Sequence, residues 1–364
     1  MMEMNMENYP RLIEAGLWDA GHVQGIAIDT EKGYIYYSFT TVLVKSDLQG
    51  KVIGYVDGLT GHLGCIDFNV EDGKVYGSIE YKHDAIGQGI MKRLGIKIAE
   101  EDAFYMAIFD VDKIDRVAMD AEKDGIMKAV YLPDVVNDFA AEGSDGKPHR
   151  LACSGIDGTA FGPVFGAPAD SPSMLMVAYG IYGDVERTDN DYQVILQYDW
   201  RRFDAVAQPL IQGEPHHSGI AAEERYHLFT GNTNWGIQNL EYDPFTSSYL
   251  AAVYVGKKEQ YPNYPMFMID ATKAPVVGAL RGVTPETTGK ILSLKEAGCF
   301  HEESGVYGWQ FPQGSTGLYA FGNGYYYVSH SDRIFYNARQ KRLQTSHVHL
   351  YRFTGEAPLG FELV

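Results

Sequence analysis

A glycine that opens a short apolar run recurs along the whole chain. GHVQGIAID occupies residues 21–29, and GHLGCIDFN follows at residues 61–69. Comparable openings come later, at SGIDGTAFGP (154–163), WGIQNLEYDP (235–244) and QGSTGLYAFGNG (313–324). Repetition of this kind is typical of arrays and propellers, in which each unit buries its apolar faces against its neighbours. The five openings predict five structural repeats.

The spacing of the openings limits the size of each repeat. Intervals of 39, 91, 81 and 78 residues separate the glycines at 25, 64, 155, 236 and 314. A bare four-stranded propeller blade needs about forty residues. The longer intervals therefore hold either one blade with insertions or two blades, which would give a seven-bladed alternative. Their contents favour one blade each, because each contains a single set of strand-like segments.

Segments rich in β-branched and aromatic residues dominate the chain and predict strands. They are bounded by Gly, Pro, Asp or Asn, which favour turns. Helical candidates are few and lie at 90–104 and 135–143. The strand-like segments are 34–46, 51–59, 74–81, 104–112, 128–133, 173–182, 192–200, 225–231, 248–255, 265–271, 324–331 and 347–353.

The last repeat lacks an outer strand, and the N-terminus can supply one. RLIEAGLW at 11–18 stands directly before the first opening, where the other repeats have their outer strand. Such closure removes an open sheet edge. The sequence thus resembles the five-bladed β-propeller superfamily at the level of architecture, without a WD or kelch signature. The resemblance implies an all-β protein with one domain over 1–364 and a partly helical insert around 85–103.

Composition restricts the classes of partner. The 364 residues carry a net charge of −18 without clustered Lys or Arg, which argues against nucleic acid. No apolar run approaches the length of about eighteen residues that a membrane helix needs, and no signal peptide is evident, so we expect no membrane and a cytoplasmic protein. Cys65, Cys153 and Cys299 are isolated, which predicts neither a disulfide framework nor a zinc ribbon. The insert around 85–103 is a candidate lid or a contact in a homo-oligomer.

A propeller brings the starts of its inner strands and the ends of its second strands to one central funnel, the usual ligand position. The side chains predicted at these strand ends are imidazoles, amides, carboxylates and aromatic rings. Amides and carboxylates pair with vicinal hydroxyls, and aromatic rings pack on sugar faces, so this set predicts a small carbohydrate ligand. Their polar types differ between repeats, which favours one composite site over one site per blade. The predicted substrate-binding residues are Gln24, His62, Tyr81, Arg150, Trp235, Gln238, Trp309, Gln313 and His330.

Three functions remain open for this funnel. A glycoside hydrolase needs two carboxylates, for which Asp157 and Asp184 are the best pair. A lyase that acts on a uronate needs a base, for which His83 and His22 are candidates. A non-catalytic sugar-binding or protein-docking propeller is the third possibility. We expect an enzyme of the first or second kind.

Histidines from separate repeats also suggest a metal centre. Several neutral imidazoles in the funnel could hold a divalent metal ion, with Gln24 or Asp84 completing its ligands. No HxH or HExxH spacing in the funnel segments supports such a site locally. HVH at 347–349 has alternating spacing, but it lies in the third strand of the last repeat. The sequence leaves the cofactor open.

Overall fold

The computed structural model describes residues 6–143 and 146–364. Within these ranges the strands form six sheets, of which five are mainly antiparallel and make up the blades around a common axis, while the sixth is a two-stranded hairpin. Each inner strand packs against the inner strand of the next blade, and that of the fifth blade packs against the first. The architecture is a five-bladed β-propeller, which confirms the predicted fold class and blade count. The long sequence intervals hold single blades with insertions.

The first blade contains four consecutive strands, and the N-terminal strand β1 belongs to another sheet. The segment at 34–46 is two strands, because Thr40 and Thr41 form a turn between them. Neither residue is a typical turn former, so the sequence gives no sign of this break. The strands are β1 (Leu12–Glu14), β2 (Val23–Asp29), β3 (Tyr34–Phe39), β4 (Val42–Asp47) and β5 (Val52–Asp57).

The second blade carries the predicted outer strand near 128–133. Its strands are β6 (His62–Asn69), β7 (Lys74–Tyr81), β8 (Ala103–Phe109) and β10 (Met127–Tyr131), while β9 (Met119–Asp120) pairs with β5 of the first blade. Helix α1 (Ala85–Leu94) connects β7 to β8 and begins earlier than the sequence predicts. Asp84 fixes that start, because its Oδ1 accepts hydrogen bonds from the amides of Ile86 and Gly87.

Helix α2 (Pro133–Ala140) follows the outer strand of the second blade, in agreement with the helical candidate at 135–143. Within the described ranges, no helix has the length and apolar character needed to cross a membrane. Short 3-10 turns occupy Met6–Asn8, Val111–Lys113, Arg150–Ala152, Trp200–Ala205 and Asn337–Arg339.

Blades 3 and 4 are extended by two small hairpins. Blade 3 consists of β11 (Cys153–Gly162), β12 (Met174–Ile181), β13 (Tyr192–Tyr198) and β14 (Glu224–Phe229). Blade 4 consists of β15 (Thr233–Asp243), β16 (Ser248–Val255) and β17 (Met266–Asp270). One hairpin, β18 (Val276–Ala279) with β19 (Thr288–Leu292), adds to the outer edge of blade 3, where β19 runs parallel to β14. The other, β20 (Cys299–His301) with β21 (Val306–Gly308), leads to Trp309, which forms a bridge with Met266 of blade 4.

The fifth blade is closed by the N-terminus, as predicted. Its strands are β22 (Leu318–Ala320), β23 (Tyr325–Tyr336), β24 (Lys341–Phe353) and the short β25 (Phe361–Leu363). Strand β1 pairs antiparallel with β24, with Ile13 opposite Val348. Both ends of the chain are thus joined in one sheet, which leaves no unpaired edge on the third strand of this blade.

The core consists of five apolar clusters, one between each pair of neighbouring blades. In the first of these interfaces, for example, the ring of Tyr36 of blade 1 stacks on that of Phe68 of blade 2, with centroids 6.1 Å apart. Full burial of a large apolar side chain contributes about 1.5–3 kcal/mol, so the ring of interfaces holds the propeller closed.

The repeated glycines explain how the inner strands approach each other. A Cβ at Gly25 would lie 2.8 Å from the amide nitrogen of Ile66 on the neighbouring inner strand. A Cβ at Gly155 would clash with the carboxylate of Glu80. Glycine at these openings therefore leaves room at the axis for the next blade and for its polar side chains.

Candidate functional site

Four charged or ionisable side chains meet at one end of the axis, and we call them the axial cluster: His62, Glu80, Lys82 and Asp157. His62 begins β6, and Glu80 lies opposite it on β7. Asp157 comes from β11 of the next blade. Starts of inner strands and ends of second strands meet here, as the propeller topology predicts.

His62 faces two carboxylates. Its Nδ1 lies 3.4 Å from Glu80 Oε1 and 3.9 Å from Asp157 Oδ1. The imidazole nitrogen and one oxygen from each acid all lie within 4.8 Å of one another. The side chain of His62 is buried, and its Nδ1 accepts or donates no hydrogen bond within the part of the chain that the structure describes.

Lys82 and Glu80 form a buried ion pair. Lys82 Nζ lies 2.5 Å from Glu80 Oε1 and donates a hydrogen bond of 2.6 Å to the carbonyl of Ser154. Glu80 Oε2 accepts a hydrogen bond of 3.1 Å from the amide of Ile156. Burial alone would lower the pKa of Lys82, but the carboxylates of Glu80, Asp84 and Asp157 outweigh it and raise that pKa. Lys82 is therefore a fixed cation of the cluster.

Asp157 is held by the fourth blade. Gln238 Nε2 donates to Asp157 Oδ2 over 3.1 Å and also to the carbonyl of Trp235 over 2.7 Å. Burial first, and then the charge of Glu80, raise the pKa of Asp157 to about 7, although His62, Lys82 and Gln238 act in the opposite direction. Negative charge at this position is thus incompletely compensated.

A second pair, His22 and Tyr254, adjoins the axial cluster. His22 Nε2 lies 3.3 Å from the hydroxyl of Tyr254. Burial and the neighbouring His62 lower the pKa of His22 to about 4, and burial and Asp157 raise the pKa of Tyr254 to about 12. At neutral pH both groups are uncharged and can exchange hydrogen bonds with hydroxyl groups. Gln24 lies on β2, two residues after His22, and its Nε2 donates to Thr40 Oγ1 over 3.2 Å.

Aromatic side chains form the rim. The rings of Trp235 and Tyr182 have centroids 5.5 Å apart, and the hydroxyl of Tyr182 donates to Asp84 Oδ2 over 3.0 Å. Trp235 has a φ of +69°, an unusual backbone conformation for this residue type. That conformation turns the start of β15 and leaves the indole only partly buried.

The structure places several predicted residues in the interfaces between blades. Tyr81 is buried between blades 1 and 2, and its hydroxyl donates to Gln212 Oε1 over 2.9 Å. Trp309 is fully buried in the cluster between blades 4 and 5. Gln313 lies half-buried in the loop before β22.

Other predicted residues lie at the surface or on outer parts of the blades. Arg150 is exposed and lies 3.6 Å from Asp138 of α2. His330 lies on β23, where its ring packs on that of His349 of the neighbouring strand β24. Its Nε2 lies 3.1 Å from the hydroxyl of Tyr351. Neither contact belongs to the axial cluster.

The two remaining predicted catalytic residues occupy loops. Asp184 is exposed, and its carboxylate accepts a hydrogen bond of 2.9 Å from the amide of Glu186. His83 is also exposed, and its Nδ1 lies 3.0 Å from Asp102. The carboxylate that accompanies Asp157 at the axis is therefore Glu80. The structure brings together His22, His62, Asp157 and Gln238 from the predicted set, with Trp235 at their rim.

Sequence reasoning missed Glu80 and Lys82 because it selected the opposite face of their strand. Successive side chains of a strand point to opposite sides, so Tyr81 and His83 alternate with Glu80 and Lys82. The signal was present in the segment GSIEYKHD, in which charged residues at every second position interrupt an apolar strand. A buried strand tolerates such charges only where they find partners.

Comparison with known proteins assigns this chain to no family. No protein-family model and no curated protein sequence matches this chain. The solved structure of Kluyvelomyces marxianus Hsv2 aligns with 89% of this chain and 97% of its own, at 7% identity and a TM-score of 0.26. A Dos1 propeller aligns with 91% of this chain and 82% of its own, at 9% identity and a TM-score of 0.29. Such distant alignments carry no argument about function. The fold class of this protein, a five-bladed β-propeller, follows from its own sheet topology.

Proposed function

We propose that this propeller binds one small polyhydroxylated ligand of the carbohydrate class at the axial cluster. One observation carries the proposal: blades 1 to 4 each contribute polar side chains to the same point, with imidazoles from blades 1 and 2, a carboxylate from blade 3, and an amide and a phenol from blade 4. These groups are His22 from blade 1, His62 from blade 2, Asp157 from blade 3, and Gln238 with Tyr254 from blade 4. A repeated lectin site would instead use equivalent residues in every blade.

The chemistry of these groups suits hydroxyl recognition. Uncharged imidazole and phenol groups both donate and accept, while the carboxylate of Asp157 accepts. The half-buried indole of Trp235 offers an apolar face at the rim, on which a sugar ring can pack. The site thus combines directional polar contacts with one aromatic platform.

Glycoside hydrolysis is the second candidate, and the closeness of Glu80 to Asp157 favours it. Retaining glycosidases place two carboxyl groups about 5–5.5 Å apart. The nearest carboxylate oxygens of Glu80 and Asp157 lie within 4.8 Å of each other. This pair replaces the predicted pair of Asp157 and Asp184 in that mechanism.

A binding and product scan with a panel of glycosides and uronate oligosaccharides tests both candidates. Calorimetric or fluorescence titration detects binding, and mass spectrometry of the same mixtures detects products. Saturable binding with unchanged mass supports a sugar-binding propeller, and fragments that gain one water support the hydrolase. Fragments that sum to the parent mass and absorb in the ultraviolet identify a lyase. Absence of both binding and products across the panel would refute the carbohydrate proposal.

A further inference from the structure

We propose that the axial cluster holds one divalent first-row metal ion, bound by His62 Nδ1 and by one carboxylate oxygen each of Glu80 and Asp157. The ion would be a permanent part of the site where the sugar ligand is proposed to bind. This inference rests on the proposed function only for the role of the ion, and not for its presence.

The distances between the three donor atoms suit a common ion. Zinc lies about 2.0–2.2 Å from nitrogen and oxygen ligands, so tetrahedral donors are about 3.4 Å apart. His62 Nδ1 lies 3.4 Å from Glu80 Oε1 and 3.9 Å from Asp157 Oδ1. All three donor atoms lie within 4.8 Å of one another, so coordination of a common ion would require side-chain rotations that shorten the wider separations.

His62 Nδ1 provides an independent argument. Polar atoms in protein interiors almost always have a partner, because leaving one unsatisfied costs free energy. The side chain of His62 is only 9% exposed, and its Nδ1 is directed at two carboxylates without a hydrogen bond to either in the described residues. An unprotonated nitrogen in that position would face two negatively charged oxygens. A cation between them converts this repulsion into three bonds.

The charges of the site also balance with a dication. Glu80, Asp84 and Asp157 lie around a single ammonium group, that of Lys82. When ionised, these three carboxylates and one ammonium sum to two negative charges in a buried environment. One divalent ion neutralises them.

The surrounding hydrogen bonds resemble those that orient metal ligands. Gln238 holds the second oxygen of Asp157, and the amide of Ile156 holds the second oxygen of Glu80. Such outer contacts fix the direction of the coordinating atoms. One imidazole with two carboxylates favours Mn²⁺ or Zn²⁺ over Ca²⁺, which takes oxygen ligands only. Three protein ligands leave positions free for water or ligand hydroxyls.

Titration of the full chain with Mn²⁺ tests the inference. The protein is first stripped with a chelator and dialysed, and the free ion is then counted by its electron paramagnetic resonance signal. We expect one Mn²⁺ per chain, displaced by Zn²⁺. His62→Gln and Asp157→Asn should each weaken binding by at least about tenfold. Glu241→Gln, a buried carboxylate change outside the cluster, is the matched control and should bind as the parent does.

Two results would overturn the inference: no binding at millimolar Mn²⁺, or equal affinity in the parent and both cluster variants. Melting temperatures show whether each variant is folded, and Asp157→Asn alone carries the test if His62→Gln does not fold. Metal binding without any sugar binding would refute the proposed function and leave this inference standing. Sugar binding by a chain that takes up no Mn²⁺ would do the reverse.

Discussion

Gln238 Nε2 donates to Asp157 Oδ2 over 3.1 Å, and this contact joins the inner strands of blades 3 and 4 at the axis. A parallel link joins blades 2 and 3, because Glu80 accepts from the amide of Ile156. The axial cluster is therefore formed between blades 2 and 3 and is held from blade 4 through Gln238, so its full set of contacts requires three neighbouring blades. Its geometry depends on the closed ring.

Replacing Asp157 should remove ligand recognition without unfolding the protein. Asp157→Asn keeps the size of the side chain but removes its charge, and hydrogen bonds to a charged group contribute about 1.5–3 kcal/mol. We expect sugar affinity to fall by about that amount, measured by titration calorimetry on the ligand that the panel identifies. In the metal-free protein the melting temperature should be unchanged or higher, because a buried carboxylate with a raised pKa is costly to ionise.

Asp184→Asn makes the same chemical change in the exposed loop after β12 and serves as the control. It should bind the ligand as the parent does, because its carboxylate contacts the amide of Glu186 and not the axial cluster. Equal losses in the two variants would place the ligand outside the axis. A loss confined to Asp184→Asn would restore that residue to the site.

Trp235 allows the aromatic platform to be tested without added backbone strain. Its φ of +69° is one that glycine adopts freely, so Trp235→Gly removes the ring while it relieves the backbone. We expect ligand affinity to fall by about 0.5–1.5 kcal/mol, with the metal affinity retained. Titrations with ligand and with Mn²⁺ on the same variant check both parts. Unchanged ligand affinity would exclude Trp235 as the platform.

The fold could be predicted from the sequence further than the site could. The glycine openings and the strand periodicity predict five blades, and RLIEAGLW predicts the closing strand β1, since these signals are local. The division of 34–46 into β3 and β4 was missed, because a turn at two threonines leaves no local signal. The start of α1 depends on a cap by Asp84, and the pattern of apolar residues does not show it.

The prediction of site residues depended on the direction in which each side chain points. Neighbouring residues of a strand point to opposite faces, so a choice that is one residue off selects the wrong face. His62, Asp157 and Gln238 lie on inner strands, where the openings fix their position at the axis. On the second strand the choice of Tyr81 over Glu80 selected the interface between blades rather than the axis. Contacts between distant segments, such as that of Asp157 with Gln238, become visible only when the blades are assembled.

A second pair of buried acids predicts how stability depends on pH. Burial and the neighbouring charge of Asp67 raise the pKa of Glu241 well above its ordinary value of 4.5. A carboxyl whose pKa is raised by folding stabilises the native state below its unfolded pKa, and this stability is lost as the pH rises through the folded value. We therefore expect the free energy of unfolding to fall as the pH rises from about 4.5 through neutrality.

Glu241→Gln should reduce that dependence. Its amide oxygen can still accept from the amide of Ala320, as Glu241 Oε1 does over 2.8 Å. The variant should be more stable than the parent at pH 8 by at least about 1 kcal/mol, which is less than one pKa unit is worth. Urea unfolding at several pH values measures the difference. A constant difference across the range would show that Glu241 does not titrate as proposed.

Closure of the ring can be tested at two neighbouring residues of β1 that differ mainly in burial. Ile13 is 1% exposed and packs between blades 5 and 1, whereas Leu12 is 45% exposed on the opposite face. Ile13→Ala should cost about 2–5 kcal/mol of unfolding free energy, and Leu12→Ala less than about 0.5 kcal/mol. Chemical denaturation of both variants provides the comparison. If the ring unfolds as one unit, ligand and metal binding should disappear in the same transition, because blades 2 and 3 form the axial cluster and blade 4 holds it through Gln238. Loss of β1 packing without loss of those sites at intermediate denaturant would show instead that blades 2 to 4 hold the site without closure.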